Sequence, residues 1–258
     1  MTSYHGGKQK TGFRIAEAIT QVCNDYDFTP LHYCEPFCGM LGVYRHIPSI
    51  LGTSTQYHAG DTNKSVIMMW EQSKIGWVPT KEGIELHEYD QLKWSPDSAQ
   101  RGFAGHQFAF GGQFFNSHKS RCNGREFDIV REYKTAQKRV KEISNQLQNV
   151  QFHHGSYDQF SNLTNALIYC DPPYAKTSCN YTAAFHHPSF LSWCSMMEDK
   201  GNVVCISGYN IPYGYHSIWT KEVAVKVAHM NMRHRIESVF TRTLTNTPAR
   251  RNDAHNSI

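Results

Sequence analysis

Ala166-Leu167-Ile168-Tyr169-Cys170-Asp171-Pro172-Pro173-Tyr174 decides how this chain folds. An apolar run meets an acid, two prolines and an aromatic. Such a run, bounded by turn residues, marks a strand buried on both faces, as in the parallel sheets of α/β proteins. Proline cannot donate to a β ladder, so Pro172 and Pro173 end the strand and stiffen the loop behind it. Ligands of open α/β sheets collect at the carboxyl ends of the strands, which makes Asp171 a candidate functional carboxylate.

Working outward, Val203-Val204-Cys205-Ile206-Ser207 reads as another strand, with a helix over residues 189–200 before it. Val150–His154 is a third, and Gln56–Asp61 a fourth that ends on an acid and is followed by a helix over residues 65–71. Residues 33–42 read as the end of a short strand followed by a glycine-containing turn. Residues 126–147 have the composition of a helix, with apolar residues at 127, 129, 130, 133, 136, 140, 143 and 147 forming one stripe. The stretch 74–118 lacks periodicity and is rich in glycine and proline, so it predicts loops and short elements. Residues 236–241 suit a last strand, and the polar residues from 245 onward suit a frayed tail. Strands alternating with helices argue for a largely parallel α/β sheet.

At 258 residues the chain can bury a full core, and its 40% hydrophobic content argues against disorder. No apolar run approaches the ~18 residues that span a bilayer, and residues 1–8 show no signal-peptide pattern, which predicts a soluble intracellular protein. Eight cysteines, several inside apolar strands, read as buried free thiols. Cys34 and Cys38 lack a second pair at zinc-site spacing, and His153-His154 and His186-His187 read as surface or loop histidines, so no metal is expected. The net charge is only +4, but Lys119, Arg121, Arg125 and further cations up to Lys141, with Arg233, Arg235, Arg242, Arg250 and Arg251, suit a polyanionic partner as well as they suit solvated helix faces.

A rigid loop offering a carboxylate, free backbone carbonyls and a ring suits an exocyclic amine on a flat base. The lone pair of adenine N6 is delocalised into its ring, so this amine is a poor nucleophile. Asp171 and the Pro172 carbonyl can each accept a hydrogen bond from it, drawing the nitrogen toward a tetrahedral form and supporting developing positive charge. Tyr174 can stack on a base that has left the duplex. Two further segments are glycine-rich. Glu35-Pro36-Phe37-Cys38-Gly39-Met40-Leu41-Gly42 follows a strand and permits close approach to a nucleoside, with Asp61, one strand later, placed to grip ribose hydroxyls. Tyr4-His5-Gly6-Gly7-Lys8 puts two glycines between an aromatic and a lysine.

In their order and spacing these segments resemble the Dam-type DNA adenine-N6 methyltransferases, in particular compact phage- or virus-like members. Ser156-Tyr157-x-x-Phe160, residues 181–185, Val204-Cys205-Ile206-Ser207 and Phe110-Gly111-Gly112-Gln113-Phe114-Phe115 are similar too. The resemblance implies a Rossmann-like, mixed seven-stranded sheet of the S-adenosylmethionine-dependent methyltransferase type with a small inserted target-recognition domain. Residues 1–66 and 150–243 would form the catalytic domain, residues 67–149 the insert, and residues 244–258 a disordered tail. It further implies that Tyr4, Gly7, Lys8, Glu35, Phe37, Gly39, Asp61, Ser156, Tyr157 and Asp171 contact S-adenosylmethionine, the methyl donor, and that Asp171, Pro172, Pro173 and Tyr174 form the catalytic loop. Lys119, Arg121 and Arg125 are the candidate contacts to double-stranded DNA. A cognate restriction enzyme is an optional partner, and the expected location is the cytoplasm, or the interior of a host cell for a viral or phage protein. The family often has its second turn glycine at the position of Leu41, whereas here glycine comes at Gly42.

Other reactions remain open at this point. N6-type methylation of RNA and cytosine-N4 methylation of DNA share the exocyclic-amine chemistry, a protein amide offers a similar planar group, and an inactive nucleic-acid-binding subunit would belong to another class. Cytosine-C5 methylation needs a nucleophilic cysteine, normally after proline, and the chain has no Pro-Cys dipeptide.

Overall fold

The computed structural model describes residues 7–79, 83–121, 128–173, 185–226 and 232–242. In chain order the elements are α1 (Gly12–Asp25), β1 (His32–Glu35), α2 (Pro48–Leu51), β2 (Gln56–Asp61), α3 (Lys64–Lys74), α4 (Leu86–Trp94), α5 (Ala99–Gln107), α6 (Ile129–Ser144), β3 (Val150–His154), β4 (Ala166–Cys170), α7 (His187–Asp199), β5 (Val203–Gly208), β6 (His216–Lys226) and β7 (Met232–Thr241). The strands form one seven-stranded sheet in the order β3-β2-β1-β4-β5-β7-β6. The first five are parallel, β7 runs antiparallel to β5, and β6 antiparallel to β7. This is the Rossmann-like mixed sheet that the motifs imply.

Alternation along the central strands sorts the core onto two faces, because successive side chains of a strand point to opposite sides. Tyr33, Leu167, Tyr169, Val203 and Cys205 pack with α1, α3, α5 and α6. Cys34, Ile168, Cys170, Val204 and Ile206 pack with α7 through Phe190, Trp193, Cys194 and Met197. Both faces of the sheet are covered, which is why these strands read as continuous apolar runs. The six cysteines among the described residues are all buried free thiols.

The predicted strands β2, β3 and β4 have the bounds expected from the sequence, and the stripe on α6 is buried at Tyr133, Ala136, Val140 and Ile143. Asp128 caps α6 by accepting from the Arg131 amide at 2.8 Å. Helices α1 and α2 and strand β6 were not anticipated. Helix α1 buries Ile15, Ala16, Ile19, Val22 and Cys23, a helical spacing legible in retrospect. Strand β6 extends the sheet beyond β7. The stretch 74–118 is also more helical than loops and short pieces, since it holds the nine-residue helices α4 and α5. Gly102 explains the difference. A Cβ there would lie 2.1 Å from the Ser65 carbonyl oxygen, so this glycine lets α5 press against α3 and is not a turn signal. The expected tail at 244–258 lies outside the described residues.

The sheet order reverses between β1 and β4, since β2 and β3 lie on one side of that pair and β5, β7 and β6 on the other. A crevice forms beyond the carboxyl ends of strands at such a switch point. Here those ends carry Glu35 and Asp171. The N-terminal segment is held over this crevice by two glycines in contact. A Cβ on Gly12 would stand 1.9 Å from the Gly42 carbonyl oxygen, and one on Gly42 would stand 3.1 Å from the Lys8 backbone. The position where the family often has glycine, Leu41, takes a positive φ of 53°, in the left-handed region that glycine favours. The turn therefore keeps a left-handed residue there, while Gly42 serves the close approach.

Gly12→Ala is expected to destabilise the protein by about 1–3 kcal/mol through overpacking. This would show as a lower urea midpoint at unchanged slope. An unchanged midpoint would mean that α1 does not start against the Gly42 carbonyl.

Candidate active site

The crevice is built by three loops. Residues 36–43, behind β1, are pinned from several directions. The Cys38 amide donates to the Gly60 carbonyl at 2.8 Å, and the Gly39 amide to Asp61 Oδ2 at 3.0 Å. Trp70 of α3 donates its indole N–H to the Gly39 carbonyl at 2.9 Å. Gln9 Nε2 donates to the Met40 carbonyl at 3.0 Å, tying the N-terminal segment to the same loop. The resulting open cleft is lined by Gly7, Lys8, Glu35, Phe37, Met40 and Asp171, among others.

Lys8 is the electrostatic centre. Its Nζ lies 2.7 Å from Asp171 Oδ2, 2.9 Å from Asp171 Oδ1 and 3.0 Å from Glu237 Oε1, and its side chain is only 4% exposed. Burial acts to lower its pKa, but the facing carboxylates of Asp171 and Glu237 outweigh it and hold the ammonium above its usual range. Glu35 behaves differently. It is buried at the end of β1 and accepts the Tyr33 hydroxyl at 2.6 Å. Burial, with the nearby Asp171 charge, pushes its carboxyl up to about 8 against the opposing Tyr33 hydrogen bond.

Asp61, at the end of β2, accepts the Asn63 amide on Oδ1 at 2.8 Å as well as the Gly39 amide on Oδ2. Burial raises its pKa, and these backbone donors counter the rise. Phe37 faces Tyr157 at 5.8 Å between ring centroids, Phe185 at 5.7 Å and Phe190 at 5.6 Å, so an aromatic wall flanks the crevice. Pro172 is buried and Pro173 half-buried behind Asp171.

The structure thus gathers Gly7, Lys8, Glu35, Phe37 and Asp171 at one crevice. It also ties Gly39 to Asp61 and places Tyr157 against Phe37. Ser156 is exposed beside Tyr157. Tyr4, Tyr174 and Arg125 lie outside the described residues, as does the side chain of Arg121. Lys119, nominated for DNA, pairs with Glu132 at 3.0 Å and is 17% exposed. Glu237 and Trp70 were missed by the sequence reading, since nothing local marks a strand acid or a helix indole as part of a distant crevice. Among the described residues no group of three or more His, Cys, Asp and Glu is placed to hold a metal ion. His186 acts as a helix cap, since its Nδ1 accepts the Ser189 amide at 3.2 Å at the start of α7. No described helix is long and apolar enough to cross a membrane.

Residues 124–208 match the family described as D12 class N6 adenine-specific DNA methyltransferase. The matched stretch contains β3, β4 with Asp171, and β5, and it agrees with the resemblance to Dam-type enzymes read from the motifs. No curated protein sequence matches the chain. Among solved structures, TrmN from Thermus thermophilus aligns with a TM-score of 0.37 at 9% identity, over 89% of this chain and 48% of that one. This chain therefore spans about half the length of TrmN. Precorrin-6y C5,15-methyltransferase from Geobacter metallireducens aligns with a TM-score of 0.38 at 6% identity, over 88% and 87% of the two chains. Likeness this distant does not bear on substrate.

Glu35 gives this site a pH signature. Its native pKa of about 8 exceeds the ordinary 4.5, so the native state holds a proton that the unfolded chain releases between these values. Its contribution to stability is full below about 4.5, declines as pH rises, and is gone above about 8. Glu35→Gln cannot titrate. Thermal melts across this window should show the wild type losing stability relative to Glu35→Gln as pH rises. A constant difference would mean that Glu35 ionises normally in the folded protein.

Proposed function

We propose that this chain, a methyltransferase of the D12 adenine-N6 class, transfers a methyl group from S-adenosylmethionine to N6 of an adenine flipped out of double-stranded DNA. The observation that carries the reading is Asp171 at the carboxyl end of β4, on a proline-stiffened loop, facing a crevice shared with Lys8, Glu35 and the 36–43 loop.

The residues fit a nucleoside donor. Phe37 and Tyr157 supply flat apolar surface for a purine. Glu35 and Asp61 are carboxyl groups at the ends of adjacent strands, where hydroxyls of a ribose would be gripped. The Gly12–Gly42 contact lets the Lys8 backbone close over the turn. The donor would supply an electrophilic methyl on a sulfonium: the sulfur–methyl bond would break as the bond to N6 forms, its electron pair would leave on the thioether sulfur, and the methylated amine would release one proton to solvent, so the protein's part is to position and polarise the acceptor.

Asp171 and the Pro172 carbonyl would each accept a hydrogen bond from the target amine, withdrawing its lone pair from ring conjugation and supporting the charge that develops on nitrogen. The site must first be opened for this, because both Asp171 oxygens accept from Lys8 in the free protein. Asp171→Ala is expected to abolish transfer while donor binding falls only modestly. Asp171→Asn should also fail badly, because its amide can turn a donor toward N6. Radiolabelled methyl transfer and equilibrium donor binding check both, and turnover within a few-fold of wild type would sink the mechanism. Sequencing of the product separates N6-methyladenine in DNA from methylated RNA or N4-methylcytosine.

For the polymer we propose that residues 74–149, between the cofactor loop and the catalytic strand, form the recognition surface. Lys119, Arg121 and Arg125 would supply contacts. A phosphate contact weakens all sequences alike and lowers the salt slope by about one unit when removed. A bidentate arginine–guanine contact instead gives roughly 1–3 kcal/mol of base discrimination. Replacing all three by alanine should raise the DNA dissociation constant strongly at moderate salt and leave donor affinity nearly unchanged. Wild-type DNA binding and salt dependence in that variant would put the surface elsewhere on the chain.

A further inference from the structure

Glu237 belongs to none of the motifs, yet it meets the reacting centre through one side chain. It sits on β7, which pairs with β5, which pairs in turn with β4. In that register Gly208, at the end of β5, faces Ser238, so β7 brings the neighbouring Glu237 level with the carboxyl end of β4 where Asp171 stands. The residue is buried, as is Lys8. A lysine ammonium has three donor hydrogens, and three carboxylate oxygens lie within 3.0 Å of Lys8 Nζ, two from Asp171 and one from Glu237.

We infer that Glu237 is a positioning residue, which shares the Lys8 ammonium with Asp171 and keeps it anchored when the target amine takes over the Asp171 oxygens. The inference rests on the reading of Asp171 as the acceptor of that amine. In the free protein Lys8 covers both oxygens that the amine needs. With Asp171 as its only carboxylate, a buried ammonium would have to stay there or stand unpaired, which is costly. A second carboxylate across the ammonium removes that conflict, because Lys8 can yield Asp171 and remain paired. It also keeps negative charge on the far side of Lys8 while positive charge develops on the methylated nitrogen.

The other groups around Lys8 do not replace it. Glu35, from the end of β1, is held near a pKa of about 8 and is engaged by the Tyr33 hydroxyl. Tyr169 of β4 bonds the Ser207 hydroxyl at 2.7 Å. Tyr209, which follows β5, lies within the field of Lys8, Glu237 and Asp171, and Arg235 covers its ring at 5.5 Å.

The test uses Glu237→Gln and Glu237→Asp in the full chain. Methyl transfer to adenine-containing duplex DNA and S-adenosylmethionine binding are measured, together with the 13Cε resonance of Lys8 across pH, assigned by its loss in Lys8→Met. Glu237→Gln should lower kcat by of order tenfold, with donor Kd and melting temperature close to wild type, and Glu237→Asp should recover most of the loss. Lys8 should also titrate at lower pH in Glu237→Gln than in wild type, since one of the two carboxylates holding its proton is gone. Wild-type kcat with an unshifted Lys8 titration in Glu237→Gln would overturn the inference. So would a loss of kcat that Glu237→Asp does not repair and that tracks a lower melting temperature, which would make Glu237 a packing residue. If the wild-type protein transfers no methyl to adenine, the proposed reaction fails by itself. The Lys8 titration then decides alone whether Glu237 holds the ammonium: a downward shift sustains it and no shift overturns it.

Discussion

A lysine ammonium removed from water must be matched by negative charge, or the cost of its burial falls on the whole fold. Lys8 meets that requirement with Asp171 from the end of β4 and Glu237 from β7, parts of the chain far apart in sequence. The pairing closes the N-terminal segment over the crevice and ties it to the central sheet and to its antiparallel extension. Leaving a buried charge with no partner typically costs about 3–5 kcal/mol, and two carboxylates spare Lys8 that state when one of them is lost. Asp171 is thus both the acid that follows β4 and part of the charge balance that holds Lys8 in place.

The sheet makes that balance possible. Reversal of strand order between β1 and β4 opens the only kind of place in such a sheet where loops from adjacent parallel strands diverge. Glu35 and Asp171 arrive there at the ends of neighbouring strands. Two ionised carboxylates at these neighbouring strand ends would repel. The chain avoids this by unequal treatment, because Glu35 is pushed toward its neutral form by burial while Asp171 is given a cation.

The region between β2 and β3 is bound closely to the same scaffold. Phe103 and Phe108 pack on Tyr133 of α6, and these rings share one core with Leu167 and Tyr169 of β4. The Gly102–Ser65 approach joins α5 to α3, whose Trp70 holds the Gly39 carbonyl. A surface presented by this region would keep a fixed distance from Asp171.

Local sequence was enough for whatever depends on neighbours in the chain. Short apolar runs bounded by turn residues marked β4 and β5, which are buried along almost their whole length, and Val150–His154 marked β3. Paired prolines marked the stiff loop after Cys170, and glycines marked the turn after Glu35. Carboxylates at strand ends were legible as candidates because strand ends are where such sheets bind ligands. Tertiary structure alone decided which distant groups meet. Nothing around Glu237 distinguishes it from another strand acid until β7 pairs with β5 and turns it toward Lys8. Gly102 reads locally as a turn residue, and only contact with Ser65 makes it a helix-packing residue. Lys119 reads as a free cation, and only the fold sets Glu132 beside it. The physical reason is the same in each case. Backbone propensity and hydrophobic periodicity are short-range properties, whereas charge neutralisation and close backbone packing depend on partners that the chain brings together only when the sheet forms.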